Sequence, residues 1–354
     1  MTKQLIRGAL AVVSPAALLV VALNGAPPPA ATGDLKAPAS AAAIKIPLGL
    51  QPIPWPKDNP YSPAKWELGR ALYFDTRLST DNTVSCASCH SPKMGFTDQA
   101  PNSAGIKGQR GDRSAPTVIN RSYSLAQFWD GRAKSLEEQA VGPMANPIEM
   151  GNTHPNIVKF LQGNAGYRAM FKAAFGTEEI NIDLAGKAIA TFERTVLSGN
   201  SPYDKYKAGN KAAMTAAQVR GMNVFFNKAK CDQCHEGINF TLNSFHNLGV
   251  GMDKPNPDTG RHKITGRDED WGTFKTPTLR DIANTAPYMH DGSLKTLEEV
   301  VEYYDKGGTP NKNLDEKMKP LNLTAGEKKD LADFMRALSG EGWQHLVAPK
   351  TFPQ

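Results

Sequence analysis

Cysteine is scarce in this chain: four among 354 residues, and none outside two pentapeptides, CASCH (86–90) and CDQCH (231–235). There is no arginine- or lysine-rich run, so the net charge of +6 gives little support to nucleic-acid binding. No sustained alternation of apolar and polar residues occurs, which argues against an extended sheet. Long apolar runs are missing as well, apart from the N-terminal MTKQLIRGALAVVSPAALLVVALNGA. There Lys3 and Arg7 supply a positive start, and the apolar stretch from Ala9 to Leu23 is short for a membrane span. It reads as an export signal, with a signal anchor as the alternative. An Ala/Pro-rich stretch follows, so residues 1–45 are expected to be signal peptide and linker. The mature protein is then expected in a bacterial periplasm, with its charge falling to +4 once Lys3 and Arg7 are removed.

For an exported protein, four cysteines first suggest a disulfide scaffold, and a lone C-x-x-C suggests a redox or zinc site. Here both pairs are followed at once by histidine. C-x-x-C-H is the attachment pattern of c-type haem: two thioethers hold the porphyrin edge and the adjacent histidine reaches the iron. Two copies that use every cysteine point to two covalently bound haems c, through Cys86, Cys89, Cys231 and Cys234, with His90 and His235 on the irons.

Helical apolar spacing precedes each motif, in PAKWELGRALYFDTRLS (63–79) and TAAQVRGMNVFFNKA (215–229). Both carry G-x-x-x-aromatic-Phe, Gly69/Tyr73/Phe74 against Gly221/Phe225/Phe226, a weak internal repeat. SLEEQAVGP, IVKFLQG, DLAGKAIATFERTVL and LTAGEKKDLADFMRALS read as further helices. The fold is expected to be mostly α, with two cytochrome c-like haem domains and long loops: 46–205 around an open haem, and 206–354 around the second.

The second axial ligand of each iron decides function, because a bound side chain makes a carrier and a vacant position can meet peroxide or oxygen. Seven histidines are present and none lies between His90 and His154. Met94, Met144 and Met150 are the alternative caps for the first haem. In FWDGRAKSLEEQAVGPMANPIEM (128–150), Glu149 is either a solvated loop charge or a distal acid–base group that moves a proton between peroxide oxygens. Pro143 is placed to line the same pocket without donating a hydrogen bond. Trp129 is either a core aromatic or a redox-active ring between haems. In TLEEVVEYYDKGG, Leu297, Val300, Val301 and Tyr304 share one helical face while Tyr303 lies beside Glu299. Tyr304 therefore points inward, either packing in the core or ligating the second iron opposite His235; a phenolate there lowers the reduction potential, whereas methionine raises it.

The order CASCH, WDGR…LEEQAVGPM…EM, CDQCH and FKTPTLRDIANTAPYMHDGSLKTLEEVVEYY resembles the bacterial dihaem cytochrome c peroxidase superfamily over roughly residues 45–340. Ordinary members have methionine where this chain has Tyr304, and a histidine in the loop after the first haem. Both departures resemble the MauG-like branch. That resemblance implies an open haem on His90 and a second haem held by His235 and Tyr304. Glu149, Pro143, Gln139 and Met144 fall at its distal pocket and Trp129 at the tryptophan between haems. Asn102, with the main-chain oxygens of Thr285 and Pro287, falls at a calcium site. The implied activity is oxidation by hydrogen peroxide, or oxygen plus electrons, with the oxidising equivalents shared as two Fe(IV) centres. The implied partner is the precursor of methylamine dehydrogenase, whose tryptophans become tryptophan tryptophylquinone. Two other readings stand beside it: a peroxide-scavenging enzyme fed by a small periplasmic redox donor, and a dihaem electron carrier. The hole-exit route is undefined, since the segment by the second motif offers Phe225, Phe226 and Phe240 but no tryptophan, with Trp271 the nearest in sequence.

Overall fold

The computed structural model describes residues 35–354; the expected export signal lies outside the described residues. The chain is mostly helical, as its patterning predicts. In order come α1 (Pro63–Phe74), α2 (Cys86–Cys89), α3 (Leu136–Ala145), α4 (His154–Gly163), α5 (Ala165–Phe175) and α6 (Ile182–Glu193). The second half carries α7 (Pro202–Lys207), α8 (Ala216–Asn223), α9 (His262–Thr265), α10 (Leu297–Asp305) and α11 (Ala325–Arg336). Among the described residues the only ladder is a two-residue antiparallel pair, β1 (Phe245–His246) with β2 (Phe274–Lys275). Helix starts follow capping chemistry: Ser62 caps α1, and Thr215, Thr296 and Thr324 form capping boxes with Gln218, Glu299 and Glu327.

Two apolar cores sit side by side. The first gathers Trp66, Leu72, Tyr73 and Phe192 from α1 and α6 with Tyr167 and Phe171 from α5. The second gathers Phe225, Leu297, Val301, Leu331 and Phe334. The repeated glycines explain the helix pairs at their centres. A Cβ on Gly69 would lie 1.9 Å from the Ala188 carbonyl oxygen of α6, and one on Gly221 would lie 1.8 Å from that of Asp330 on α11. Only hydrogen fits at either crossing, so α1 can press on α6 and α8 on α11.

Beyond α11 the chain returns to the first half. Trp343 and Leu346 are buried in the first core. Arg70 Nε donates to Val347 O at 2.9 Å, Arg77 Nη2 donates to Pro353 O at 2.9 Å, and Gly166 N donates to Gln354 O at 2.7 Å. Within the second half a buried, bidentate ion pair joins Arg280 to Asp204 of α7, at 2.8 and 3.0 Å. Its remaining Nη2 hydrogen reaches Gly49 O at 3.1 Å.

Candidate active site

Each Cys-x-x-Cys-His run lies on a short helical turn directly after its glycine-bearing helix. No disulfide forms among the four cysteines. Burial pushes the Cys89 thiol up to about 11 and the Cys231 thiol to about 12, so both are protonated thiols rather than thiolates. The histidines are oriented identically. His90 Nδ1 lies 3.3 Å from Phe96 O, and His235 Nδ1 lies 3.0 Å from Phe240 O. Phe96 and Phe240 both sit at left-handed φ, 56° and 49°, which turns each carbonyl back towards its ring. A carbonyl can only accept, so Nδ1 carries the proton and Nε2 keeps its lone pair for a metal. Burial depresses both imidazoles, His235 to about 4, which leaves them neutral as ligation requires.

A cavity of about 790 Å³ opens beside the second motif. Cys231, Cys234 and His235 line it from one side, Tyr304 of α10 from another, and Trp129 and His290 at the end towards the first half. The two adjacent tyrosines separate as their helical positions predict. Tyr303 donates to Leu248 O at 2.9 Å, whereas the Tyr304 hydroxyl has no hydrogen-bond partner among the described residues. Burial beside Cys231 and Cys234 pushes the Tyr304 phenol up, so a free cavity would keep it protonated and only a nearby cation would release the proton.

The same cavity holds two buried cations. Lys275 is 3% exposed and its ammonium meets only Thr276 O, at 3.4 Å. Arg121 donates Nε to Gln127 at 3.0 Å. Neither forms an ion pair among the described residues, and burial depresses both, Arg121 to about 10. Glu193 lies near enough to act on Arg121 but forms no ion pair with it, and buried basic side chains without an ion-pair partner suit an anion in the space they face. A haem meets that need with two propionates, fills an apolar cavity of this size, and bonds to paired thiols and a neutral imidazole. The residues present therefore fit the group.

The structure also reveals a longer repeat than the sequence suggested. Residues 114–143 and 275–304 follow the same backbone path. Asn120 and Asp281 both have φ 57°, Phe128 and Met289 have 64° and 72°, and Gly131 and Gly292 have 68° and 61°. Each copy closes a small loop by an isolated bridge, Gln127 with Ala133 and Tyr288 with Leu294. Each then enters a helix through a hydroxyl cap, Ser135 or Thr296. In this register Trp129 corresponds to His290, and Pro143 to Tyr304. Where the second half presents a phenol, the first presents a proline ring.

A smaller cavity, about 270 Å³, lies at that proline. Its walls are Phe128, Arg132, Ala133, Glu138, Gly142, Pro143, Asn146 and Glu149, with no sulfur and no imidazole among them. Glu149 accepts from Asn146 Nδ2 at 3.0 Å. Burial raises its carboxyl above the usual range, against the opposing effects of Arg132 and that hydrogen bond.

Of the residues singled out from sequence, Glu149 and Pro143 share the smaller cavity, and His235, Tyr304, Trp129, Thr285 and Pro287 share the larger. Gln139 lines neither, although it lies one turn before Pro143 on α3. Met144 is fully buried in the first core. The alternative caps do not line the smaller cavity either: Met94 is 41% exposed and Met150 is core. Trp129 donates Nε1 to Ser114 O at 2.9 Å, and its carbonyl accepts from Lys275 N of β2 at 2.7 Å, which fixes it at the seam. Trp271 lines neither cavity, and the Lys312 ammonium sits 4.9 Å above its ring, a charge that opposes removal of an electron. Arg121, Arg132, Lys275 and His290 were not anticipated from the sequence.

The di-haem cytochrome c peroxidase profile matches residues 63–212. The methylamine utilization protein MauG of Methylorubrum extorquens is 41% identical over 295 residues, 82% of each chain. The cytochrome c551 peroxidase of Nitrosomonas europaea is 46% identical over 238 residues, 67% of this chain and 71% of its own. A crystallised MauG-like protein associated with microbial copper homeostasis superposes with a TM-score of 0.78 at 35% identity, covering 85% of this chain and 96% of its own. Fold, paired motifs and relatives together define a dihaem oxidoreductase. The chain belongs to the dihaem cytochrome c peroxidase and MauG family, whose members carry two haem groups.

Proposed function

We propose that this is a periplasmic enzyme that uses hydrogen peroxide, or oxygen with electrons, to oxidise tryptophan side chains of a partner protein. The proposed partner is the methylamine dehydrogenase precursor, in which tryptophan tryptophylquinone would be completed. The observation that carries this reading is Tyr304, a phenol without a protein partner in the same cavity as His235. The identity to a MauG protein over most of both chains supports it. No helix among the described residues is long and apolar enough to cross a membrane.

When bound, the haems supply iron that meets peroxide and exchanges electrons. The chain holds and tunes them. Cys86, Cys89, Cys231 and Cys234 provide the thioethers, and His90 and His235 one nitrogen ligand each. Lys275 and Arg121 would meet the propionates of a group held in the larger cavity. Tyr304, which shares that cavity with His235, would offer the iron an anionic oxygen and so favour its oxidised state. In the smaller cavity Pro143 has no group that could ligate a metal, and Glu149 would take a proton from one peroxide oxygen and return it to the other. Trp129, locked by Ser114, spans the seam. The Asn102 side-chain oxygen and the Thr285 and Pro287 carbonyls accept no hydrogen bond among the described residues, and three such oxygens suit a calcium ion.

The similarity to a cytochrome c551 peroxidase favours a second reading, in which a small redox protein delivers the electrons. One experiment separates the two. Incubation of the dihaem protein with peroxide and methylamine dehydrogenase precursor is expected to give quinone absorbance and cross-linked tryptophans by peptide mass spectrometry. Peroxide-dependent oxidation of a reduced small cytochrome, with an unaltered precursor, would establish the second reading instead.

A further inference from the structure

We infer that Arg132 is the anion-holding residue of the smaller cavity, a group that faces small oxygen ligands there and counterbalances their negative charge. This rests on reading that cavity as the site where peroxide binds. Arg132 is one of its walls, together with Glu149, Glu138 and Pro143. Its guanidinium carbon sits 3.5 Å from the centroid of the Phe128 ring, and Phe128 is itself a wall. Nη1 is tethered to both Asp130 oxygens, at 3.2 and 2.9 Å. The ring contact and the tether together restrain the group in the cavity wall, where its side chain is 40% exposed.

The tether leaves the positive charge largely uncancelled. Asp130 also receives Arg113 Nη1 at 2.7 Å, and Arg113 is held by Asp258, which in turn pairs with Lys263 at 3.0 Å. Two carboxylates thus serve three cations. Nε and Nη2 of Arg132 have no partner among the described residues, so donors remain for a ligand. The facing carboxylates are each engaged elsewhere: Glu138 accepts from Lys134 N at 2.7 Å, and Glu149 from Asn146. A positive charge close to Glu149 also opposes the effect of burial on that carboxyl.

The repeat sharpens the case. In the second half, Ser293 stands where Arg132 stands in the first, and Tyr304 where Pro143 stands. At these two equivalent positions, then, the copy with Tyr304 pairs it with Ser293, and the copy with Pro143 pairs it with Arg132. A guanidinium serving only as a surface partner of Asp130 would contribute little and would leave ligand affinity untouched.

The test uses the diferric dihaem protein and two probes of the open iron: fluoride, which needs a hydrogen-bond donor and a counter-charge, and nitric oxide, which is neutral. Arg132→Gln is expected to weaken fluoride roughly tenfold or more, with nitric oxide affinity changed by less than about twofold. Arg132→Lys is expected to retain part of the fluoride affinity. Phe128→Leu, which removes the platform and keeps the cation, is expected to fall between them and stands in if the glutamine variant does not fold. Unchanged fluoride affinity in Arg132→Gln, or equal losses for both probes, would overturn the assignment of Arg132. Failure of the unaltered protein to bind either probe would instead overturn the open site itself.

Discussion

Tyr304 and Pro143 occupy one position in two copies of a motif, a phenol in one half and a pyrrolidine ring in the other. A phenolate needs a nearby cation, because burial alone holds Tyr304 protonated. Tyr304→Phe is therefore expected to keep both covalent haems while slowing oxidation of a partner protein by roughly tenfold or more. Stopped-flow and single-turnover measurements would read this, with fluoride binding in the first half unchanged. His290 gives a prediction of another kind. Stacked 3.6 Å from Phe274 and 5% exposed, it is held down at about 4 by burial. The unfolded chain binds that proton near 6.5. The stability His290 confers is thus present above about 6.5 and lost as pH falls towards 4. His290→Gln should flatten a denaturation series across that window. Helical spacing was enough to single out Tyr304, and the histidine-free loop to raise Glu149. Arg132, Lys275 and His290 stayed hidden because their roles depend on which loops meet across the seam, and spacing along one segment carries no such information.

Among the helices, the glycine crossings decide the architecture. Gly69 and Gly221 were visible in the sequence as a shared G-x-x-x-aromatic-Phe pattern, although not the helices they press against. Replacing Gly221 by alanine puts a methyl group onto the Asp330 carbonyl, and separating α8 from α11 should cost about 1–3 kcal/mol. A lower denaturation midpoint with an unchanged slope would show it, and an undiminished midpoint would mean that the pair can slide apart freely. Boundaries were less legible than elements. The helix expected over 63–79 stops at Phe74, because Asp75 leaves the helical region and caps the next turn through Arg77 N. The one expected over 215–229 tightens to α8 and then widens into a π turn at Val224–Lys228. The longer repeat went unread because its two copies agree in backbone turns more than in side chains: Phe128 and Met289 share a left-handed φ and little else.

At the level of the whole molecule, the two cores divide less cleanly than the two haem motifs suggest. Trp343 and Leu346 fill the first core, although they follow the last helix of the second half. Deleting residues 341–354 should therefore expose α1 and α5 rather than α11. Amide exchange is expected to rise first around Arg70, Arg77 and Gly166, whose partners lie in the deleted segment. Faster exchange confined to α8 and α11 would contradict this. Composition and motif order were enough to anticipate a mostly helical chain with two attachment sites, but no local pattern announced that its far end closes its beginning.

That closure has a consequence for biogenesis. Arg70 and Val347 meet across 277 positions of chain, so the first core cannot be sealed until the second half has emerged and come alongside. Until then the apolar surface that Trp343 and Leu346 finally cover stays open to solvent.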